Sequence, residues 1–303
     1  MDKNAITEKI NSLKLKNNAI ILAHNYQIDE VQDVADYVGD SFELSQIAAD
    51  SKADLILFCG VHFMAESAAI LAPQKTVLLP DLNAGCPLAD MITADQLQEL
   101  KKDYPGAAVA AYINSSAAVK AESDICVTSA NAVKVVNALT EDTVLFVPDG
   151  NLAHFVAERT DKRIISWQGY CNTHHSVDVE DVVQARESYP GAQIVVHPEC
   201  RPEVVAMADA SMGTGGMIQY SRDAAAEDIV VGTEKGMLHR LKKECTSKRF
   251  HILSSKLICP DMKYTTLEKV LTALEQKKHV ITVSPEVREK AEFALKRMLA
   301  VMV

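Results

Sequence analysis

Among its seven cysteines the sequence has no Cys-x-x-Cys pair. A zinc ribbon or a two-thiol redox motif is therefore absent, and any metal ligands must come from distant parts of the chain. There is no basic surplus either. A formal net charge of −10 disfavours general nucleic-acid binding, which needs cations to neutralise phosphates, but it leaves room for a local pocket that holds a small anion. No apolar run is long enough to span a bilayer. Met1 to Leu22 mixes polar and apolar residues and lacks the unbroken apolar core of a signal peptide. These features predict a cytoplasmic protein with reduced thiols and no membrane partner. Gly213 to Gly216 lacks the spacing of a dinucleotide fingerprint, so nicotinamide-cofactor binding is not indicated. What is present is the composition of a folded chain, 48% hydrophobic and 24% charged, with 303 residues to share between two or three small cores.

The chain repeats itself. Tyr104-Pro105-Gly106-Ala107 returns as Tyr189-Pro190-Gly191-Ala192, and an apolar run follows each. A third version of the run is Ala19 to Tyr26. Aligned on His24, Tyr112 and His197, the three copies carry Tyr26, Asn114 and Glu199 two positions on, and Val31, Val119 and Val204 seven on. Asp36, Asp124 and Asp209 stand twelve on, and Ser41, Ser129 and Thr214 seventeen on, without a gap. Each copy ends near one cysteine: Cys86, Cys171 and Cys259. Cys59, Cys126, Cys200 and Cys245 have no such correspondence. Repeats of this kind are the signature of one structural unit used several times.

Ala19–Ala23, Ala108–Ala111 and Gln193–Val196 have the pattern of short buried parallel strands, as do Leu55–Phe58, Val144–Val147 and Ile229–Val231. Ile28–Tyr37 and Pro202–Ala208 read as helices, and Ser41, Ser129 and Thr214 as helix N-caps. Thr265–Val303 reads as helix, strand (His279–Val283) and helix, packed in part on the first copy. The fold class expected is α/β, with three homologous domains of small parallel sheets around a pseudo-threefold axis. The boundaries expected are 1–85 with 265–303, then 86–170, then 171–264.

Ligands of parallel sheets gather beyond the carboxyl ends of the strands. His24/Tyr26, Tyr112/Asn114 and His197/Glu199 sit at those ends, so threefold packing sends them into one central cavity. Three helix N-termini there suit phosphate or carboxylate without many lysines. The same symmetry gathers Cys86, Cys171 and Cys259. Three thiolates with one open position could serve zinc, or an iron–sulfur cluster with one iron free to act as a Lewis acid. Plainer readings stand beside these. A lone histidine at a strand end is more often satisfied than catalytic, Ser41, Ser129 and Thr214 alone are ordinary caps, and Glu199 could merely charge a loop. Asp36, Asp124 and Asp209 read as structural, and Cys200 as packing.

Ile21-Leu22-Ala23-His24-Asn25-Tyr26-Gln27, Val38-Gly39-Asp40-Ser41, Thr128-Ser129-Ala130-Asn131, His197-Pro198-Glu199-Cys200 and Thr214-Gly215-Gly216-Met217-Ile218 together resemble the quinolinate synthase family, in order and over essentially the whole chain. The resemblance implies a 4Fe–4S cluster held by Cys86, Cys171 and Cys259 with one open iron. It implies an oxygen-sensitive step of NAD biosynthesis in which iminoaspartate and dihydroxyacetone phosphate give quinolinate, phosphate and water. A transient aspartate-oxidising partner would supply the iminoaspartate. Carried over by position, Glu199 is the general acid or base, and Tyr26 relays protons or holds the substrate oxygen near the open iron. His24 and His197 bind anionic groups and stabilise oxyanions. Tyr112 and Asn114 orient the intermediate, Ser41, Ser129 and Thr214 hold phosphate or carboxylate, and His174 reaches the cavity. A hydro-lyase acting on another substrate and a zinc-holding anion-binding protein remain as alternatives.

Overall fold

The computed structural model describes residues 2–301. Residues 1, 302 and 303, which fall inside the first expected domain, lie outside the described part. Among the described residues, twelve strands form three sheets. The first holds β1 (Ala19–His24), β2 (Tyr37–Gly39), β3 (Leu55–Cys59) and β4 (Thr76–Leu78). The second holds β5 (Ala108–Tyr112), β6 (Ile125–Val127), β7 (Thr143–Val147) and β8 (Arg163–Ser166). The third holds β9 (Gln193–Val196), β10 (Ala210–Ser211), β11 (Asp228–Gly232) and β12 (Arg249–Ile252). All pairings within the sheets are parallel, and the order is the same each time: β2-β1-β3-β4, β6-β5-β7-β8 and β10-β9-β11-β12. The expected fold class is the one observed, three α/β units each with a small parallel sheet.

The two central strands of each sheet are covered on both faces, which is why they read as unbroken apolar runs. The repeated Tyr-Pro-Gly-Ala segment is the turn into β5 and β9. Gly106 and Gly191 there adopt φ of +85° and +82°, a left-handed conformation open to glycine and costly for residues with a Cβ. The three repeated aspartates share one task. Asp36, Asp124 and Asp209 each accept the backbone N–H of the first strand of their own sheet, from Ile21 (2.8 Å), Val109 (2.7 Å) and Ile194 (2.7 Å). Each also donates its own N–H back to the carbonyl of that strand residue. The carboxylate thus stands in for a strand at the point where the edge strand has not yet begun, so these residues are structural, as their sequence pattern suggested.

Some expected elements differ. The helix at 28–37 stops at Val34, because Ala35 turns extended and Tyr37 opens β2. Residues 279–283 form no strand of their own. They lie antiparallel beside β4 through a single bridge, Leu78 to Val280, with Leu79 and His279 exchanging backbone hydrogen bonds. None of the three hydroxyl residues is an N-cap. Asp40 caps the helix Ser41–Asp50 with a reciprocal Glu43 capping box, Gly213 precedes the helix Thr214–Asp223, and Asn131 precedes the helix Ala132–Ala138. Ser41 and Thr214 are first helical residues, and Ser129 lies in the preceding turn.

After the third sheet the chain returns to the first two. Helix Leu267–Gln276 lies on the N-terminal helix Lys3–Lys16. Helix Pro285–Val301 packs on helix Ala117–Ala121 and β6 of the second sheet and on helix His62–Leu71 of the first. Its Ala291, Ala294, Leu295 and Met298 are fully buried in a core shared by both units, and burial stabilises by about 1.5–3 kcal/mol for each side chain of Leu or Met size. No helix among the described residues is long and apolar enough to cross a membrane.

Asp124→Ala should leave the buried N–H of Val109 without its partner and cost about 1.5–3 kcal/mol in urea unfolding, the usual loss for a hydrogen bond to a charged group. The exposed Asp103→Ala should stay within about 0.5 kcal/mol of the parent. Equal effects in both variants would show that the repeated aspartates do not hold the strands.

Candidate active site

The carboxyl ends of the central strands deliver their next residues into one cavity of about 250 Å³. His24 ends β1, Tyr112 ends β5, and His197 and Glu199 follow β9. All ten residues singled out as substrate contacts line this cavity: His24, Tyr26, Ser41, Tyr112, Asn114, Ser129, His174, His197, Glu199 and Thr214. The units meet closely here. A Cβ on Gly213 would lie 2.9 Å from Ser129 Oγ, and one on Gly215 would lie 3.4 Å from Asp40 Oδ2, so small residues let the start of the Thr214 helix reach both other units. No lysine or arginine side chain is among the lining residues. Negative ligands would be met by hydroxyls, imidazoles and backbone N–H groups.

Glu199 sits at the bottom, 2% exposed. Its Oε2 is 2.6 Å from His174 Nδ1 and 3.4 Å from His197 Nδ1, while Oε1 is buried without a hydrogen-bond partner among the described residues. Burial alone would push this carboxyl up. The His197 and His174 imidazoles override it and hold Glu199 well below the usual carboxylate range. His174 Nε2 lies 2.8 Å from Thr233 Oγ1, which lies 2.6 Å from the Tyr26 hydroxyl. Facing an acceptor-only carboxylate, His174 Nδ1 carries a proton, and Nε2 lies within hydrogen-bond distance of the Thr233 hydroxyl. An unbroken chain therefore runs Tyr26–Thr233–His174–Glu199. Burial, with the Glu199 charge, pushes the Tyr26 and Tyr112 hydroxyls well up. Burial and the neighbouring His197 push His24 down to about 3, so it stays neutral near neutral pH. Burial lowers His197 as well.

The sequence reading missed three buried residues beside this chain: Thr233, Asp149 and Glu234. The repeat frame could have found two of them. Val61, Asp149 and Glu234 stand thirty-seven positions after His24, Tyr112 and His197, at the ends of β3, β7 and β11. Asp149 caps the helix Gly150–Ala157 by accepting Leu152 N–H at 2.8 Å, and its Oδ2 is buried without a partner among the described residues. Glu234 pairs with Lys263 (2.8 Å) and accepts Cys259 N–H (3.3 Å), while Lys263 also donates to the Tyr26 carbonyl (2.5 Å). This knot ties the Cys259 loop to the end of β1.

Cys86, Cys171 and Cys259 all border the cavity. The cofactor expected from them is nevertheless corrected. Among the described residues, the group whose donor atoms lie within 4.8 Å of one another is Cys171, His174 and Glu199, with one cysteine rather than three. That is not the three-thiolate set that the cluster reading requires. The repeat brings one cysteine per unit to a common wall, but Cys171 is turned to His174 Nδ1 (3.2 Å), and Cys259 is anchored through its backbone to Glu234.

The comparisons with known proteins agree on one family. The family model described as quinolinate synthetase A protein matches residues 8–300. A quinolinate synthase of Methanosarcina barkeri (strain Fusaro) is 53% identical over 303 residues, covering all of both chains. One of Dehalococcoides mccartyi (strain CBDB1) is 54% identical over 302 residues, also covering 100% of each. One of Thermodesulfovibrio yellowstonii is 50% identical over 300 residues, covering 99% of each.

Asp40, on the cavity wall, supplies a pH test. Burial pushes its carboxyl up to about 6, and nearby Glu43 adds to this. In the unfolded chain it titrates near ~3.9. Between pH 4 and 6 the folded state therefore holds the extra proton, and the contribution of Asp40 to stability falls as pH rises through that window. Asn keeps the cap without the charge. The stability of Asp40→Asn relative to the parent should rise from pH 4 to pH 7 and level off above. A constant difference across that range in urea melts would show that Asp40 titrates normally.

Proposed function

The chain belongs to the quinolinate synthetase A protein family, and on that premise we propose that this cytoplasmic enzyme condenses iminoaspartate with dihydroxyacetone phosphate into quinolinate, releasing phosphate and water, for NAD biosynthesis. A transient aspartate-oxidising partner would hand over the unstable imine. The folding units we propose are 1–85 with 265–303, 86–170 and 171–264. The observation that carries the functional reading is the buried hydrogen-bonded chain Tyr26–Thr233–His174–Glu199 at the floor of a cavity without lysine or arginine.

Both substrates are small anions. Thr214 offers a hydroxyl and the uncapped first turn of its helix, Ser41 offers a hydroxyl beside a turn whose Phe42 and Glu43 N–H groups Asp40 already holds, and Ser129 adds a hydroxyl from the adjoining unit. Neutral His24 can donate to an oxyanion without giving up its proton. Enolisation of a ketone phosphate, imine condensation and loss of water each need a proton removed at one atom and returned at another. Glu199, held as a carboxylate, takes up a proton through His174. In the reverse direction the proton passes by Thr233 to the Tyr26 hydroxyl, which delivers it to a departing oxygen. Tyr112 and Asn114, on the second unit, orient the intermediate between these groups. Equivalent repeat positions hold Tyr26, Asn114 and Glu199, and among them only Glu199 is a carboxylic acid.

With both substrates in oxygen-free buffer, the imine generated in situ, the protein should form quinolinate and phosphate in equal amounts, and absence of quinolinate would remove the proposal. Glu199→Gln should still bind a phosphorylated three-carbon ligand and lose at least ~100-fold in kcat, the low end of general acid–base contributions. Thr233→Val, which cuts the chain, should also lose turnover on the order of 100-fold, whereas Thr233→Ser should retain it. Turnover of Glu199→Gln within a few-fold of the parent would move the proton-transfer role to Tyr26 or His197.

A further inference from the structure

We propose that Arg240, which does not line the cavity, sets the direction of the Thr214 hydroxyl through Asn25. The inference rests on the reading of Thr214 as an anion contact.

Arg240 lies on the helix Met237–Glu244, with its side chain 17% exposed. Its Nη1 donates to Asn25 Oδ1 at 2.8 Å, and its Nε is held by Glu244 Oε1 at 2.7 Å. Asn25 is fully buried, and its Nδ2 lies 2.8 Å from Thr214 Oγ1. A guanidinium has donors only, so the amide oxygen of Asn25 has to face Arg240. The amide NH2 then faces Thr214, and having no lone pair to offer, it makes the Thr214 oxygen an acceptor. The Thr214 hydroxyl proton is left to point elsewhere, and no other hydrogen bond engages it among the described residues. Thr214 lines the cavity at the first turn of its helix, where backbone N–H groups also point. A threonine left to itself can donate or accept. Here two residues from other elements commit it to donating, which is what a phosphate or carboxylate requires.

The arrangement crosses units, since Asn25 follows β1 of the first and Thr214 and Arg240 belong to the third. A related contact links the third to the second: His197 Nε2 lies 3.1 Å from Ser129 Oγ. At the position of Asn25 the second copy has Ile113, which cannot repeat the contact toward Ser41. Thr214 is therefore the hydroxyl whose direction is fixed by a charge outside the cavity. Arg240 acts as a positioning residue.

The test is a double-mutant cycle on purified full-length enzyme, with KM for both substrates, kcat and a thermal midpoint for each variant. The singles are Thr214→Ala, Arg240→Leu and Asn25→Asp. In Asn25→Asp a carboxylate oxygen replaces the amide NH2 and draws the Thr214 proton out of the cavity, while the pairing with Arg240 is kept. Each single should raise the same KM on the order of tenfold, the low end for a lost hydrogen bond to a charged group, with kcat within about threefold of the parent. Arg240→Lys, which still donates to the amide oxygen, should restore near-parent KM. Combining Thr214→Ala with either other change should add nothing further. Additive doubles, or parent KM values in both Arg240→Leu and Asn25→Asp, would overturn the positioning role while leaving Thr214 as a contact. Parent KM values in Thr214→Ala would instead remove Thr214 from the site and the relay with it. Should Arg240→Leu fail to fold, the Asn25→Asp arm with intact Arg240 carries the same comparison.

Discussion

A carboxylate buried at 2% exposure has to be compensated, and the bond from His174 to Glu199 is what the rest of the site is built around. With His174 Nδ1 engaged by Glu199, its Nε2 meets the Thr233 hydroxyl, which meets the Tyr26 hydroxyl in turn. The backbone of Glu199 is held from the second unit, where Asn151 Nδ2 donates to its main-chain carbonyl at 2.9 Å. A proton path of four side chains follows from satisfying one buried charge. It joins Tyr26 of the first unit to Thr233, His174 and Glu199 of the third, so it exists only when those two are assembled.

Threefold architecture supplies the frame, and departures from it supply the chemistry. Each unit contributes a strand end, a helix start and a cysteine loop in the same places. At equivalent strand-end positions the side chains differ: a phenol, an amide and a carboxylic acid. The third strands add Val61, Asp149 and Glu234, again unlike one another. A symmetric cavity would present three copies of one function to the ligand. Diversified positions let one wall hold an anion while another moves a proton. The cross-unit contacts carry the same lesson, since Asn25 and His197 each reach a neighbour's hydroxyl while Ile113 does not.

How much of this was legible in the sequence depended on range. The first and third strands of each unit were visible because both faces are covered and the runs are apolar throughout. The edge strands Tyr37–Gly39, Ile125–Val127 and Ala210–Ser211 are two or three residues long, too short to show a period. Their positions are set by the repeated aspartates that hold the neighbouring strand. The helices expected to follow Ser41 and Thr214 begin one residue earlier, with Asp40 and Gly213 at the caps, and the one expected after Ser129 begins at Ala132, because the identity of a cap depends on backbone angles that the residue type only biases. Residues 279–283 looked like a strand for their β-branched content, and packing against β4 left them only one bridge.

By itself the sequence determined the three-unit frame, the family, and the set of residues that would meet beyond the strand ends. A gapless repeat copies backbone geometry, so equivalent positions must converge once the units close on one axis. Only the tertiary structure decided the distances and directions among those residues. It gathered Cys171 with His174 and Glu199 rather than with two other cysteines, brought Thr233 between Tyr26 and His174, and turned the Asn25 amide toward Thr214. It also sent the helix Pro285–Val301 to cover the seam between the first two units. Those outcomes turn on ångström-scale contacts between segments up to about two hundred residues apart, such as Asn25 and Arg240. Hydrogen-bond direction is settled by which partner is a pure donor, and a linear pattern of residue types does not encode which partners will meet.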